Sequence, residues 1–204
     1  MHPNPIYRKE GRDRNLAFAR DIGFGVLAIN GAEGPLMAHV PFILNVAGNL
    51  AELHLVRSNP IARALKTPQP VRLAVTGADS YVSPDWYGIE DQVPTWNYVA
   101  VHLTGMLEMR PAKELPDLLA RQSAVYEARL APKTPWKLDK MTPEARDKML
   151  RMIVPCQIRV TGIDGTWKLG QNKDVAVRLA AADQMAAHGF GTEPAVMAAL
   201  MRGV

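Results

Sequence analysis

A single cysteine, Cys156, stands in the whole sequence, so no internal disulfide forms and a reducing compartment is expected. Long apolar stretches are missing too. The longest run without Asp, Glu, Lys or Arg, residues 34–51, is interrupted by Pro35, His39, Pro41, Asn45, Gly48 and Asn49 and does not read as a membrane span. The first ten residues hold no apolar h-region, so no secretory signal is expected and the chain reads as cytoplasmic. G-x-G-x-x-G, the P-loop and G-x-S-x-G are all absent, which removes support for Rossmann, phosphate-loop and hydrolase-elbow chemistry. Repeats and low-complexity tracts are absent as well. What remains is an ordinary globular composition over 204 residues, 48% hydrophobic and 22% charged, enough to bury a core without staples. The net charge of +4 and pI near 9.3 fit an anionic ligand or a nucleic acid and decide between neither.

The first hundred residues read as strands. Phe24 to Ile29 ends at Asn30-Gly31, a hairpin signal, and Leu36 to Leu44 follows Gly34-Pro35. Leu53 and Leu55 alternate with Glu52 and His54, the period-2 pattern of a half-buried strand. The pattern recurs at Val71, Leu73 and Val75, then at Val99, Val101 and Leu103, and last from Gln157 to Gly162. Short strands joined by tight turns, without alternating long helices, indicate an antiparallel barrel or sandwich. Helices are expected around residues 15–22, 60–66, 115–130, 142–153, 174–188 and 193–201, the later ones opened by Thr142-Pro143-Glu144 and Glu193-Pro194. The reading is a single α+β domain over residues 1–204, a small antiparallel barrel with peripheral helices and a helical C-terminal extension from about residue 173.

Four polar or aromatic clusters exceed what a core requires: His39-Val40-Pro41-Phe42; His54-Leu55-Val56-Arg57-Ser58-Asn59-Pro60; Ser80 to Tyr87 with Val93 to Tyr98; and Trp167 to Lys173. In this order and spacing they resemble the PaiB-like family of FMN-binding split-barrel proteins. Members of that family carry H-x-P-F, H-x-A-R-x-N-P, Y-x-S-P-x-W-Y…P-T-W-N-Y and a late K-L-S-Q-N, and are labelled negative transcriptional regulators. The likeness spans roughly residues 1 to 175. Two positions depart from it: Val56 where Ala is common, and Gly170 where Ser is common, which removes a hydroxyl beside Gln171. The resemblance implies an antiparallel split β-barrel, FMN as cofactor and a homodimer with flavin at the interface. The residues it points to are His39, Pro41, His54, Arg57, Ser58, Asn59, Trp96, Lys168, Gln171 and Asn172.

The residue chemistry agrees. A flavin phosphate asks for a guanidinium or ammonium, and its ring for an apolar wall with a few amide donors at the edge. Arg57, Ser58 and Asn59 supply a fork, a hydroxyl and an amide at one strand end, and Lys168, Gln171 and Asn172 supply donors late in the chain. Arg57 alone also reads as a solvated surface charge, and Trp86, Trp96, Tyr81 and Tyr98 as core or interface anchors. His39, His54 and His102, spaced by 15 and 48 residues, carry no metal signature, so no metal is assigned. A haem ligand among them has no further motif behind it. Cys156 reads as a buried, inert thiol. Ten methionines, among them Met149, Met152, Met185, Met197 and Met201, read as packing residues.

No acid–base pair stands out, so no catalytic residue is named. The last two helices have the outline of a helix-turn-helix, yet Pro194 to Met201 offers no side chain that reads base edges. Direct DNA binding is therefore weakly supported. Three alternatives remain: a flavin-dependent oxidoreductase acting on a small molecule, a DNA-binding repressor that shares the barrel, and a flavin-free interaction module.

Overall fold

Period-2 apolar patterning becomes six strands in a computed structural model that describes residues 1–204. They are β1 (Phe24–Gly31), β2 (Gly34–Leu44), β3 (Leu50–Val56), β4 (Gln69–Val82), β5 (Thr95–Met109) and β6 (Ile153–Lys168). Neighbours run β1-β2-β3-β6-β5-β4 and the order closes on itself, an antiparallel sheet joined in a ring. Six helices accompany it: α1 (Arg12–Ile22), α2 (Pro60–Ala64), α3 (Leu115–Glu127), α4 (Pro143–Met152), α5 (Val175–His188) and α6 (Pro194–Arg202). The chain adopts the α+β split-barrel class expected of it.

The hairpin differs in detail from its sequence signal. β1 runs through Asn30 and Gly31, β2 begins at Gly34, and Gly31 faces Gly34 across the turn. The larger difference lies in β4, β5 and β6, which extend to 14, 15 and 16 residues. Gly105, inside β5, permits a close approach of the neighbouring strand. A Cβ on Gly105 would lie 2.1 Å from the Arg159 carbonyl oxygen.

The fold divides into two compact units: residues 1–18, 76–102 and 164–204, and residues 19–75 and 103–163. In the second, Leu27, Phe42, Leu53, Leu73, Leu103, Leu107 and Ile158 are fully buried. β3 pairs with β6 so that Leu53 faces Cys156 and Val56 faces Ile153. α3 is fastened here by Tyr126, whose hydroxyl lies 2.5 Å from the Gly23 carbonyl oxygen and 2.8 Å from that of Phe42. In the first unit, Val82, Tyr87, Val99, Trp167, Leu169, Ala181, Met185, Met197 and Met201 share one core. Trp167 donates its indole N–H to Asn15 Oδ1 at 2.8 Å, both residues being buried. Arg178, also buried, donates from Nε to the Met201 carbonyl at 2.9 Å and so caps α6. The packing role expected of methionine holds for Met185, Met197 and Met201, whereas Met149 and Met152 on α4 are exposed. α4 buries no residue at all, so its methionines have no layer to fill.

Candidate functional site

The candidate residues fall into two groups, one in each unit. In the second unit, alternation on β2 and β3 turns Val40, Phe42, Leu53 and Leu55 inward and leaves His39, Pro41 and His54 on the opposite face. His39 is exposed and stacks on Phe24, ring centroids 6.3 Å apart, while Pro41 is half-buried opposite Phe24. His54 Nδ1 lies 3.0 Å from Gln122 Oε1. Burial lowers the His54 pKa below the ordinary 6.5, and the Gln122 contact opposes that shift.

Arg57 follows the last residue of β3 and is tied to the junction of α4 and β6. Its backbone N–H donates to the Met152 carbonyl at 2.8 Å, Nε to the Arg151 carbonyl at 3.0 Å and Nη2 to the Ile153 carbonyl at 3.4 Å. Around it lies a groove of about 440 Å³ lined by Val56, Arg57, Ser58, Arg63, Arg151 and Met152. Three guanidiniums and no carboxylate line this groove, and none of the three is in an ion pair. Such a lining favours an anion. Asn59 plays a structural part, since its Oδ1 accepts from the Ile61 N–H at 2.9 Å and caps α2.

The first unit holds Trp96, Lys168, Gln171 and Asn172. Trp96 is 44% exposed and meets Tyr81 and Phe190 edge-on, at 6.2 and 5.7 Å between centroids, while Tyr81 and Phe190 stack at 5.2 Å. Lys168 Nζ donates to Thr95 Oγ1 and to the Trp96 carbonyl, the latter at 2.9 Å, and burial lowers its pKa. The Gln171 amide is spent locally: Oε1 accepts from the Leu169 N–H at 2.8 Å and Nε2 donates to the Trp167 carbonyl at 2.5 Å. Asn172 is exposed. Gly170 sits at φ +81°, a left-handed conformation in which a serine is strained, so glycine there follows from the backbone of this turn.

Residues 1–162 match the protein family described as "Putative FMN-binding domain". The chain belongs to this FMN-binding family. It is also 30% identical over 159 residues to the protease synthase and sporulation protein PAI 2 of Bacillus subtilis (strain 168), an alignment covering 77% of this chain and 75% of that one. The PaiB-like resemblance of the motifs therefore stands, and the cofactor of this FMN-binding chain is FMN. The match ends before the late cluster at Trp167 begins. In fold the protein is similar to the FAD and haem binding protein from Mycobacterium smegmatis, with TM-score 0.60 and 18% identity over 91% of this chain and 82% of that one. It is likewise similar to the flavocytochrome Anf3 from Azotobacter vinelandii, with TM-score 0.56 and 14% identity over 83% and 73%. At such identities the likeness concerns fold alone.

Sequence reasoning missed Arg63 and Arg151 as partners of Arg57. Arg63 lies on α2 and Arg151 near the end of α4, 94 residues from Arg57, where spacing carries no signal. It also missed Tyr7, Tyr87 and Lys173, which share a recess with Lys168. Lys173 closes the fourth cluster and was in principle visible there.

Proposed function

We propose that this FMN-binding protein is a homodimer in which each flavin phosphate is held at the Arg57 groove. The observation carrying the reading is the convergence of Arg57, Arg63 and Arg151 on one groove without an acidic partner. A phosphate monoester brings about −1.5 to −2 charge and three acceptor oxygens. A guanidinium fork meets such a group with paired, charge-assisted bonds. Arg57 is already held by two carbonyls, so little side-chain freedom is lost when a ligand arrives. Ser58 adds a hydroxyl, and Asn59 holds the turn by capping α2.

The tricycle needs an apolar face and a few donors at its edge. In this reading His39, Pro41 and His54 flank it from the phosphate-bearing copy. A second copy brings Trp96 with Lys168, Asn172 and the turn that Gln171 braces. Bound FMN supplies a redox-active ring that accepts and releases electrons. The chain's own residues bind and orient that ring. Regulation, the role the resemblance implies, is read as indirect: α6 buries Met197, Ala198 and Met201, and Arg202 at its end is paired with Asp183 at 2.8 Å. A helix so engaged is not a reader of DNA.

The test is a titration of flavin-free protein with FMN, followed by flavin fluorescence and by the mass of the complex in solution. One quenched FMN per chain in a two-chain particle is the expected result. FMN bound to a lone chain overturns the shared site, and no saturation at tens of micromolar overturns flavin binding.

A further inference from the structure

A pocket lined by none of the flavin candidates lies between α3 and the segment that follows it, inside one compact unit. It measures about 350 Å³, within the range of about 300–1,000 Å³ that small-molecule pockets occupy. Its floor is the face of α3 that carries Ala120, Ser123 and Ala124, positions that helical spacing brings together. Side chains this short leave the facing segment standing off the helix. Pro135, Trp136 and Leu138 supply the rest of the apolar lining, with Trp136 36% exposed. The segment is anchored. Glu127, in the last turn of α3, accepts the Trp136 N–H at 2.7 Å and pairs with the Lys133 ammonium. These two contacts hold the Glu127 carboxyl below the usual carboxylate range. The Lys133 N–H donates to the Leu130 carbonyl at 3.0 Å, and the Lys140 N–H to that of Lys137 at 3.1 Å. Trp136 is therefore presented to the pocket by backbone already fixed, which lowers the ordering cost of binding.

The charged groups at this pocket come one of each sign. Lys137 and Asp139 line it, flank Leu138 in sequence, and neither is in an ion pair. Ser123 adds a hydroxyl that can donate and accept. A ligand of a single charge is repelled by one of the two side chains, whereas a ligand carrying both signs meets a partner for each. The indole of Trp136 favours a flat ring, since aromatic pairs gain beyond the area they bury. We propose that the pocket between α3 and residues 135–139 binds a free α-amino acid with an aromatic side chain. Its ring lies against Trp136, its carboxylate faces Lys137 and its ammonium faces Asp139. The proposal is independent of the flavin reading, because it uses none of that reading's residues.

L-Phenylalanine is the probe, titrated calorimetrically into the full chain. Saturable binding at about one per chain is expected. 2-Phenylethylamine lacks the carboxylate and 3-phenylpropionate lacks the ammonium. Each should bind at least about threefold more weakly than phenylalanine, the scale of a partly exposed ion pair. Trp136→Ala should weaken phenylalanine about tenfold through lost ring contact. Ala124→Leu places a strong helix former at an exposed position and fills the floor, so this variant should fold normally and lose binding. No saturation by phenylalanine up to about 10 mM, ten times a weak 1 mM constant, overturns the site. Binding that survives Ala124→Leu overturns its location, and equal affinity for all three probes overturns recognition by the paired charges.

Discussion

Replacing Arg57 by alanine separates two roles that the structure gives one side chain. The guanidinium donates to the carbonyls of Arg151 and Ile153, at 3.0 and 3.4 Å on an exposed surface. Hydrogen bonds contribute about 0.5–1.5 kcal/mol each, and an exposed pair with one member at 3.4 Å falls in the lower part of its combined range, so Arg57→Ala should cost roughly 1–2 kcal/mol of stability. For a chain of this size that corresponds to a fall in Tm of about 2–8 °C. FMN binding should suffer separately. A hydrogen bond to a charged phosphate is worth about 1.5–3 kcal/mol, which weakens Kd by a factor of about 10 to 150. Arg57→Lys keeps the charge and loses the fork, so it should fall between wild type and alanine. Thermal denaturation without flavin reads the first effect, and fluorescence titration with FMN reads the second. A lowered Tm with an unchanged FMN Kd would refute the phosphate assignment, leaving Arg57 as a staple between β3 and α4.

Two further outcomes follow from burial. The His54 pKa lies below 6.5, so the folded chain takes up this proton less readily than the unfolded chain. Stability should therefore be level above pH 6.5 and decline as the pH falls below it, and His54→Gln should flatten that decline in denaturant titrations. An unchanged acid limb in the variant contradicts the assignment. The Cys156 thiol is 1% exposed, and burial pushes its pKa up to about 12. A thiol reagent at pH 8 should react only as the protein opens, with a rate that rises with denaturant, and immediate stoichiometric labelling would contradict this.

The strands were legible where one face is apolar and the other polar, as at Leu53–His54–Leu55, because alternation records a half-buried sheet. They were illegible where β4, β5 and β6 continue past that pattern. Gly105 there marks a close approach to Arg159, a long-range fact that no local window contains. The helix start at Pro143 was readable from its proline and from Thr142, whose side chain accepts from the Ala145 N–H, and that at Pro194 from its proline, since Glu193 makes no side-chain capping bond. At the site, Arg57 and Ser58 were visible as a charged strand end. Their companions Arg63 and Arg151 reach the groove only because α2 and α4 end near β3. Gln171 shows the converse: its residue type suggested a free amide, and the turn at Gly170 consumes it.

Comparing FMN with riboflavin on the same flavin-free protein puts the phosphate claim to its most direct trial. Riboflavin keeps the tricycle and lacks only the phosphate, so FMN should bind more tightly by at least about tenfold, with the gap shrinking in Arg57→Ala. Equal affinity for the two flavins would contradict a phosphate cradle formed by Arg57, Arg63 and Arg151.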